Sequence, residues 1–183
     1  MDPSSHPARR GRFEALAAEV YEPLQRYARR RVAADEVDDI VSETLTTLWR
    51  RLDAVPEAAL PWAYGVARRH IANHRRGVGR RLRLVRRVEA EPAPSADKEG
   101  PLDPELHAAL DAMADGDREV LRLWAWEQLE PAEIAITLGM TPNAASIRLH
   151  RAKKKLGENL AEARKTDALS GHSHRESRKE ERS

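Results

Sequence analysis

The residues of this chain best equipped for chemistry are cations at helical spacing, and what they suit is holding phosphates rather than making bonds. From Ile134 to Gly157 there is no acid, and five bases fall between Arg148 and Lys155. From Ala58 to Val88 there is again no acid, and nine arginines lie between Arg68 and Arg87. The acids gather around Glu19–Glu57 and Glu89–Glu133, which is why the formal net charge is only +2. Two basic blocks parted by an acidic one suit two contact surfaces for a polyanion, and nucleic acid is the commonest polyanion. Solvated helix faces ordinarily mix both signs.

Bond-making chemistry finds little support. His70 and His74 stand four apart, the spacing of a two-histidine zinc site. Position 71 is isoleucine, however, where H-E-x-x-H needs glutamate, and no third ligand presents itself. His172 and His174 lie in a polar tail. No nucleophile pairs with a base, and no glycine-rich loop could cradle a phosphate. The absence of cysteine excludes disulfides and thiolate metal sites and fits a reducing cytoplasm. The chain is therefore read as a non-enzyme with no cofactor and no metal. The start, MDPSSHPARRGRFEAL, lacks the apolar core of a secretory signal, and no run approaches the ~18 apolar residues of a membrane span. A soluble, cytoplasmic protein without membrane insertion is expected.

The elements that must position these cations read as helices. Phe13, Leu16, Ala17 and Val20 are spaced three or four apart, with Pro23 interrupting or restarting that helix. Val37, Ile40, Val41, Thr44, Leu48 and Leu52 share one face of the next, with Asp35 placed as its N-cap. A third helix, from Trp62 to about Arg76, buries Trp62, Val66 and Ile71, and Gly77 and Gly79 can end it. Leu106 and Leu110 open the next piece, and Val120, Leu121, Trp124 and Leu129 mark another helix. No run alternates with period two for long enough to argue a strand. The fold class is all-α: two small helical domains, 12–88 and 105–164, joined by a flexible linker at 89–104. That linker, EAEPAPSADKEGPLDP, carries four prolines and five acids. The polar ends, 1–11 and 165–183, are expected to be disordered.

The stretch EPAEIAITLGMTPNAASIRLHRAKKKL (130–156) is a helix-turn-helix pattern. Pro131 and Pro142 each suit a first helical position, Thr141 is a good N-cap, and Gly139 supplies the positive φ of a tight turn. Ile134, Ala145 and Leu149 face inward. Asn143, Ser146, Arg148, His150, Arg151 and Lys154 are left for other faces, as donors and cations suited to base edges and flanking phosphates. A helix dipole accounts for two or three of the terminal cations but not for the missing acids.

With those residues in view, the chain resembles the extracytoplasmic-function sigma factors, small members of the sigma-70 family of bacterial initiation factors. The resemblance covers about residues 12–164. Three segments carry it: ADEVDDIVSETLTTLWRRL (34–52) looks like the helix that docks on core RNA polymerase, LPWAYGVARRHIANHRR (60–76) like the promoter-melting and −10 segment, and DREVLRLWAWEQLEPAEIAITLGMTPNAASIRLHRAKKKL (117–156) like the −35 reading domain. The resemblance implies a polymerase-facing set of Asp38, Asp39, Ser42, Glu43 and Trp49. Ser42 stands where the family usually has glutamine. The loop DAVPEAAL (53–60) would hold a base flipped from the −10 element, with no pocket residue named. Arg68, Arg69, His70, Asn73 and Arg76 would lie along the opened strand. Ser146, Ile147, Arg148, His150 and Arg151 would read the −35 duplex; Ile147 replaces a usually polar residue and suits a thymine methyl. Glu130 stands where relatives commonly have a serine N-cap, so the first helix of the motif is expected to start less firmly. The implied partners are core RNA polymerase and promoter DNA, and the resemblance leaves room for an anti-sigma factor.

Two rival readings use the same residues. A free-standing helix-turn-helix regulator would bind a palindrome as a dimer and give residues 34–52 no polymerase to meet. An RNA-binding helical protein is also compatible, because basic helices do not announce their polymer.

Overall fold

A computed structural model describes the backbone of residues 5–85 and 103–180 and the side chains of residues 7–77 and 103–165. The described residues form seven α-helices and no strand: α1 (Ser5–Arg29), α2 (Val37–Arg50), α3 (Ala59–Val85), α4 (Pro104–Asp111), α5 (Asp115–Ala125), α6 (Pro131–Leu138) and α7 (Pro142–Glu180). Short 3-10 turns at Ala34–Glu36 and Leu52–Ala54 flank α2. The fold is all-α, as expected. The chain divides into two compact units, one built on α1–α3 with residues 135–140, the other on α4, α5, residues 131–134 and α7. Among the described residues no helix is long and apolar enough to cross a membrane.

In the first unit each of α1, α2 and α3 packs against the other two. Leu16, Val20, Leu24 and Tyr27 form the inward stripe of α1, and Val37, Ile40, Val41, Thr44 and Leu48 that of α2. Ala63, Tyr64, Val66, Ala67 and Ile71 supply α3. Each large aliphatic side chain buried this way contributes about 1.5–3 kcal/mol. The buried hydroxyl of Thr44 donates to the Ile40 carbonyl at 2.7 Å, so it brings no unsatisfied group into the core. Tyr27 stacks on Tyr64 with centroids 4.8 Å apart, and the buried Arg31 guanidinium lies 3.6 Å from the Tyr27 centroid.

Several boundaries differ from the sequence reading. Residues 5–11, expected to be disordered, already belong to α1, where Arg9 reaches Asp53 at 2.6 Å and the Trp49 carbonyl at 2.9 Å. Pro23 lies inside α1 without ending it. The roughly 3 kcal/mol that an interior proline costs is offset by the burial of Val20, Leu24 and Tyr27 on either side of it. Gly77 and Gly79 do not terminate α3, which runs on to Val85 through residues that are mostly good helix formers. Asp35 is not the cap of α2 but sits within the 3-10 turn before it, where Glu36 bonds back to the Ala33 N–H at 3.1 Å. The C-terminal segment expected to be disordered from residue 165 continues as α7 to Glu180. Most of the linker at 89–104 lies outside the described residues.

In the second unit α4 begins at an Asp103 cap, whose carboxylate accepts from the Glu105 N–H at 3.0 Å, with Pro104 at its first position. Arg118 closes the turn into α5 by donating to the carbonyls of Asp111 and Met113, each at 3.1 Å. Both α4 and α5 pack on α7. Ala109, Leu110, Met113, Val120, Leu121, Leu123, Ala145, Leu149 and Ala152 form the core, and Asn159 of α7 donates to the Ala109 carbonyl at 2.9 Å. Trp124, one of the residues that mark α5 in the sequence, is 42% exposed. It stands at the edge of the α5 stripe, where the Lys153 ammonium lies 3.4 Å from its ring centroid.

Candidate functional site

The face of α2 opposite its buried stripe gathers the acids. Asp38 and Ser42, and beside them Asp39 and Glu43, repeat at four-residue spacing, and all four are exposed. Such a row suits a basic partner surface. Trp49 is 39% exposed and is held from one side: the Phe13 ring meets it edge-on at 5.2 Å and the Arg9 guanidinium lies 5.3 Å from its centroid. It is therefore both a packing residue for the start of α1 and an apolar element at the rim of the acidic face. The loop 53–60 is partly held by this arrangement, since Asp53 pairs with Arg9 and Val55 is buried.

On α3 the proposed strand-tracking residues separate into two groups. Arg68, Arg69, Asn73 and Arg76 are exposed, and positions 69, 73 and 76 lie along one face at helical spacing. The Asn73 side-chain oxygen accepts from Arg76 at 2.8 Å, which orients that guanidinium. His70 is placed differently. It is half-buried against α2, with Nδ1 2.9 Å from a Glu43 carboxylate oxygen and Nε2 3.0 Å from the Thr47 hydroxyl. His74, one turn on, meets Glu36 at 2.8 Å. The two histidines at zinc-like spacing each serve as a tie from α3 to the segment 36–47. Arg75 adds a third tie by donating to the Arg31 carbonyl at 2.8 Å.

The turn of the helix-turn-helix has the expected chemistry. Gly139 adopts φ +68°, and the Met140 N–H closes the turn on the Ala135 carbonyl at 3.0 Å. The Thr141 hydroxyl caps α7 by accepting from the Ala144 N–H at 3.2 Å. Glu130 is relieved of a capping role because Glu133 reaches back to its N–H at 2.8 Å, half of a capping box. Along α7, Asn143, Ser146, Ile147, His150, Arg151 and Lys154 are exposed, Ile147 by 44%. Arg148 alone of the predicted reading set is half-buried, with Nε 2.9 Å from a carboxylate oxygen of Asp117 at the start of α5. Its guanidinium lies over Gly116, in the space a Cβ there would fill.

Asp117, Gly116, Glu36 and Thr47, together with Trp124, complete these surfaces; of the five only Trp124 stood out in the sequence, as a marker of α5. Asp117 lies 31 residues from Arg148 and Glu36 lies 38 from His74, so no local spacing links the partners. The E-x-x-E spacing of Glu130 and Glu133 was a legible signal.

These two surfaces map onto matched families. Residues 16–81 match the model of Sigma-70 region 2, and residues 104–156 match Sigma-70, region 4. An RNA polymerase sigma-E factor of Streptomyces avermitilis is 31% identical over 163 residues, covering 85% of this chain and 88% of that protein. The chain belongs to the extracytoplasmic-function group of the sigma-70 family. This sigma factor is also similar to the ECF RNA polymerase sigma factor SigF of Caulobacter vibrioides, at 31% identity over 152 residues, 76% of this chain and 80% of that one. Its fold is shared with the sigma factor RpoE of Bartonella quintana, solved in complex with the anti-sigma factor NepR, at a TM-score of 0.59 and 23% identity over 81% of this chain and 96% of that one. The sigma factor directs promoter-specific transcription initiation by RNA polymerase. A free-standing regulator is not favoured, because such a protein has no need of the region matched at 16–81. Sigma factors as a family are not enzymes.

Proposed function

We propose that the sigma factor divides its work by residue as follows. The exposed acids Asp38, Asp39 and Glu43, with Ser42 and the rim residue Trp49, dock on core RNA polymerase. Arg68, Arg69, Asn73 and Arg76 track the single strand as the −10 region opens, while His70 holds α3 to the docking helix. Asn143, Ser146, Ile147, His150, Arg151 and Lys154 meet the −35 duplex. Domains at 12–88 and 105–164, with the acidic segment 89–104 as tether, are the corresponding division of the chain, and the cytoplasm, where core polymerase is found, is its place of work. The observation that carries this reading is the segregation of charge on α2 and α3: α2 exposes Asp38, Asp39 and Glu43, while α3 has no acid and exposes Arg68, Arg69 and Arg76.

The test is transcription in vitro with core polymerase on a promoter library. Reversing Asp39 and Glu43 to lysine should abolish polymerase binding while the far-ultraviolet circular dichroism stays helical; unchanged binding would remove the docking assignment. The Bartonella quintana sigma factor is bound by an anti-sigma factor, and we extend such a partner to this chain. A protein captured by this sigma factor that leaves its transcription undiminished is not that partner.

A further inference from the structure

The buried stripe of α7, Ala145, Leu149 and Ala152, has a cation on each side of it. Arg148 and Lys153 are five residues apart, which at about 100° per residue places them well round the helix from each other. Each meets a side chain of α5, Arg148 half-buried and Lys153 exposed. Arg148 Nε is 2.9 Å from Asp117 Oδ1, with both side chains about half covered, at 40% and 37% exposure. Lys153 Nζ is 3.4 Å from the Trp124 ring centroid. Asp117 and Trp124 both belong to α5, two turns apart and thus on one side of it. A helix gripped on both flanks of its buried stripe cannot roll on its neighbour.

Rolling is what a reading helix must not do, since a recognition group meets its bases only within roughly 10–20° of its working orientation. A helix free to roll is binding-competent for only part of the time and loses apparent affinity for every sequence by that same fraction. Arg148 is also poorly placed to read a base itself. Its Nε–H is taken by Asp117, its guanidinium is laid against the Gly116 backbone, and the adjacent carboxylate disfavours a phosphate. Ser146, Ile147, His150 and Arg151, by contrast, are exposed.

We infer that Arg148 and Lys153 are positioning residues that fix the roll of α7 on α5, with Asp117 and Trp124 as their anchor points and Gly116 as the gap that admits the Arg148 guanidinium. The inference rests on the proposed −35 reading by the exposed side of α7.

The experiment is initiation by the complete holoenzyme on templates with a randomised −35 element, with helicity monitored in parallel. Arg148→Ala should lower initiation on all −35 sequences by one common factor, about ten- to a hundredfold for a displaced recognition group, without changing base preference at any position. The exchange Asp117→Arg with Arg148→Asp should restore initiation to within about threefold of the parent, since the coupling of the pair is kept, whereas Arg148→Asp alone should not recover. Gly116→Ala, which touches no DNA-facing residue, should give a weaker version of the same uniform loss because its methyl displaces the guanidinium. A changed preference at one base pair in Arg148→Ala, an exchange variant no better than Arg148→Asp, or a Gly116→Ala protein at parental activity each overturns the inference. His150→Ala and Arg151→Ala distinguish the two levels. If they alter base preference and Arg148→Ala does so too, the reading stands and the inference falls; if neither alters it, the −35 reading falls and takes this inference with it.

Discussion

The two cation-bearing helices, α3 and α7, solve one problem with different materials. In the proposed reading each presents positive charge to nucleic acid while staying fixed to its own unit, and each spends the basic side chains next to its buried stripe on neighbours. On α3 those are His70, His74 and Arg75, tied to Glu43, Glu36 and the Arg31 carbonyl. On α7 they are Arg148 and Lys153, tied to Asp117 and Trp124. The difference lies in what the anchor does otherwise. Glu43 belongs to the proposed polymerase face, so in the first unit docking and strand capture share a carboxylate. Asp117 has no proposed partner outside the chain, so in the second unit positioning and reading are carried by separate residues. Perturbations should accordingly mix in the first unit and come apart in the second.

The largest test asks whether the units rest on equivalent cores. Leu48→Ala and Leu123→Ala each remove a side chain with no solvent exposure, and each should cost about 2–5 kcal/mol in denaturant unfolding followed by circular dichroism. A cost near zero in one of them would mean that its unit is held chiefly by the polar ties. Next, Gly139→Ala forces an alanine to φ +68° and should cost about 1–2 kcal/mol, seen as a lowered thermal midpoint, with no counterpart in the described segment α1–α3, where no residue has a positive φ. The sharpest contrast is between Glu43→Gln and Asp117→Asn. Each weakens one charge-assisted contact, a change of about 1 kcal/mol or a few-fold in binding. Glu43→Gln should lower both core affinity, by fluorescence titration, and promoter opening, by permanganate footprinting, while Asp117→Asn should spare core affinity. Equal effects on core affinity would erase the distinction. The smallest effect belongs to Arg68→Ala, an exposed position where stability should shift by less than about 0.5 kcal/mol. The logarithmic salt slope of open-complex formation should fall by about 0.7. An unchanged slope would leave Arg68 without a phosphate.

Much of this was legible in the sequence where the determinants are local. The buried stripe of α2, Val37, Ile40, Val41, Thr44 and Leu48, follows from a three-to-four residue period, and Leu52, expected on the same helix, is buried just beyond its end in the 3-10 turn. The Gly139 turn and the Thr141 cap likewise depend only on neighbouring residues. Charge segregation picked out α3 and α7 as the helices that carry exposed cations. Legibility ended where a contact spans tens of residues. Nothing in the run around Arg148 shows that Asp117 will occupy it, so an arginine with the composition of a base reader is placed as a tie. His70 was grouped with the strand-tracking arginines for the same reason, though its ring faces α2. Ends were misread in the opposite sense: residues 5–11 lack an apolar pattern of their own, and their helix is set by the Arg9 contacts to Asp53 and Trp49.

Those Arg9 contacts have a practical corollary for handling the protein. Trypsin cutting after Arg12 would strip the cover from one side of the Trp49 indole and release Asp53, so limited digestion should be visible as a red shift in tryptophan emission before any helix melts. An affinity tag fused ahead of residue 5 would hang beside the proposed polymerase surface. Purification handles and labels for this molecule are better attached at a site remote from both.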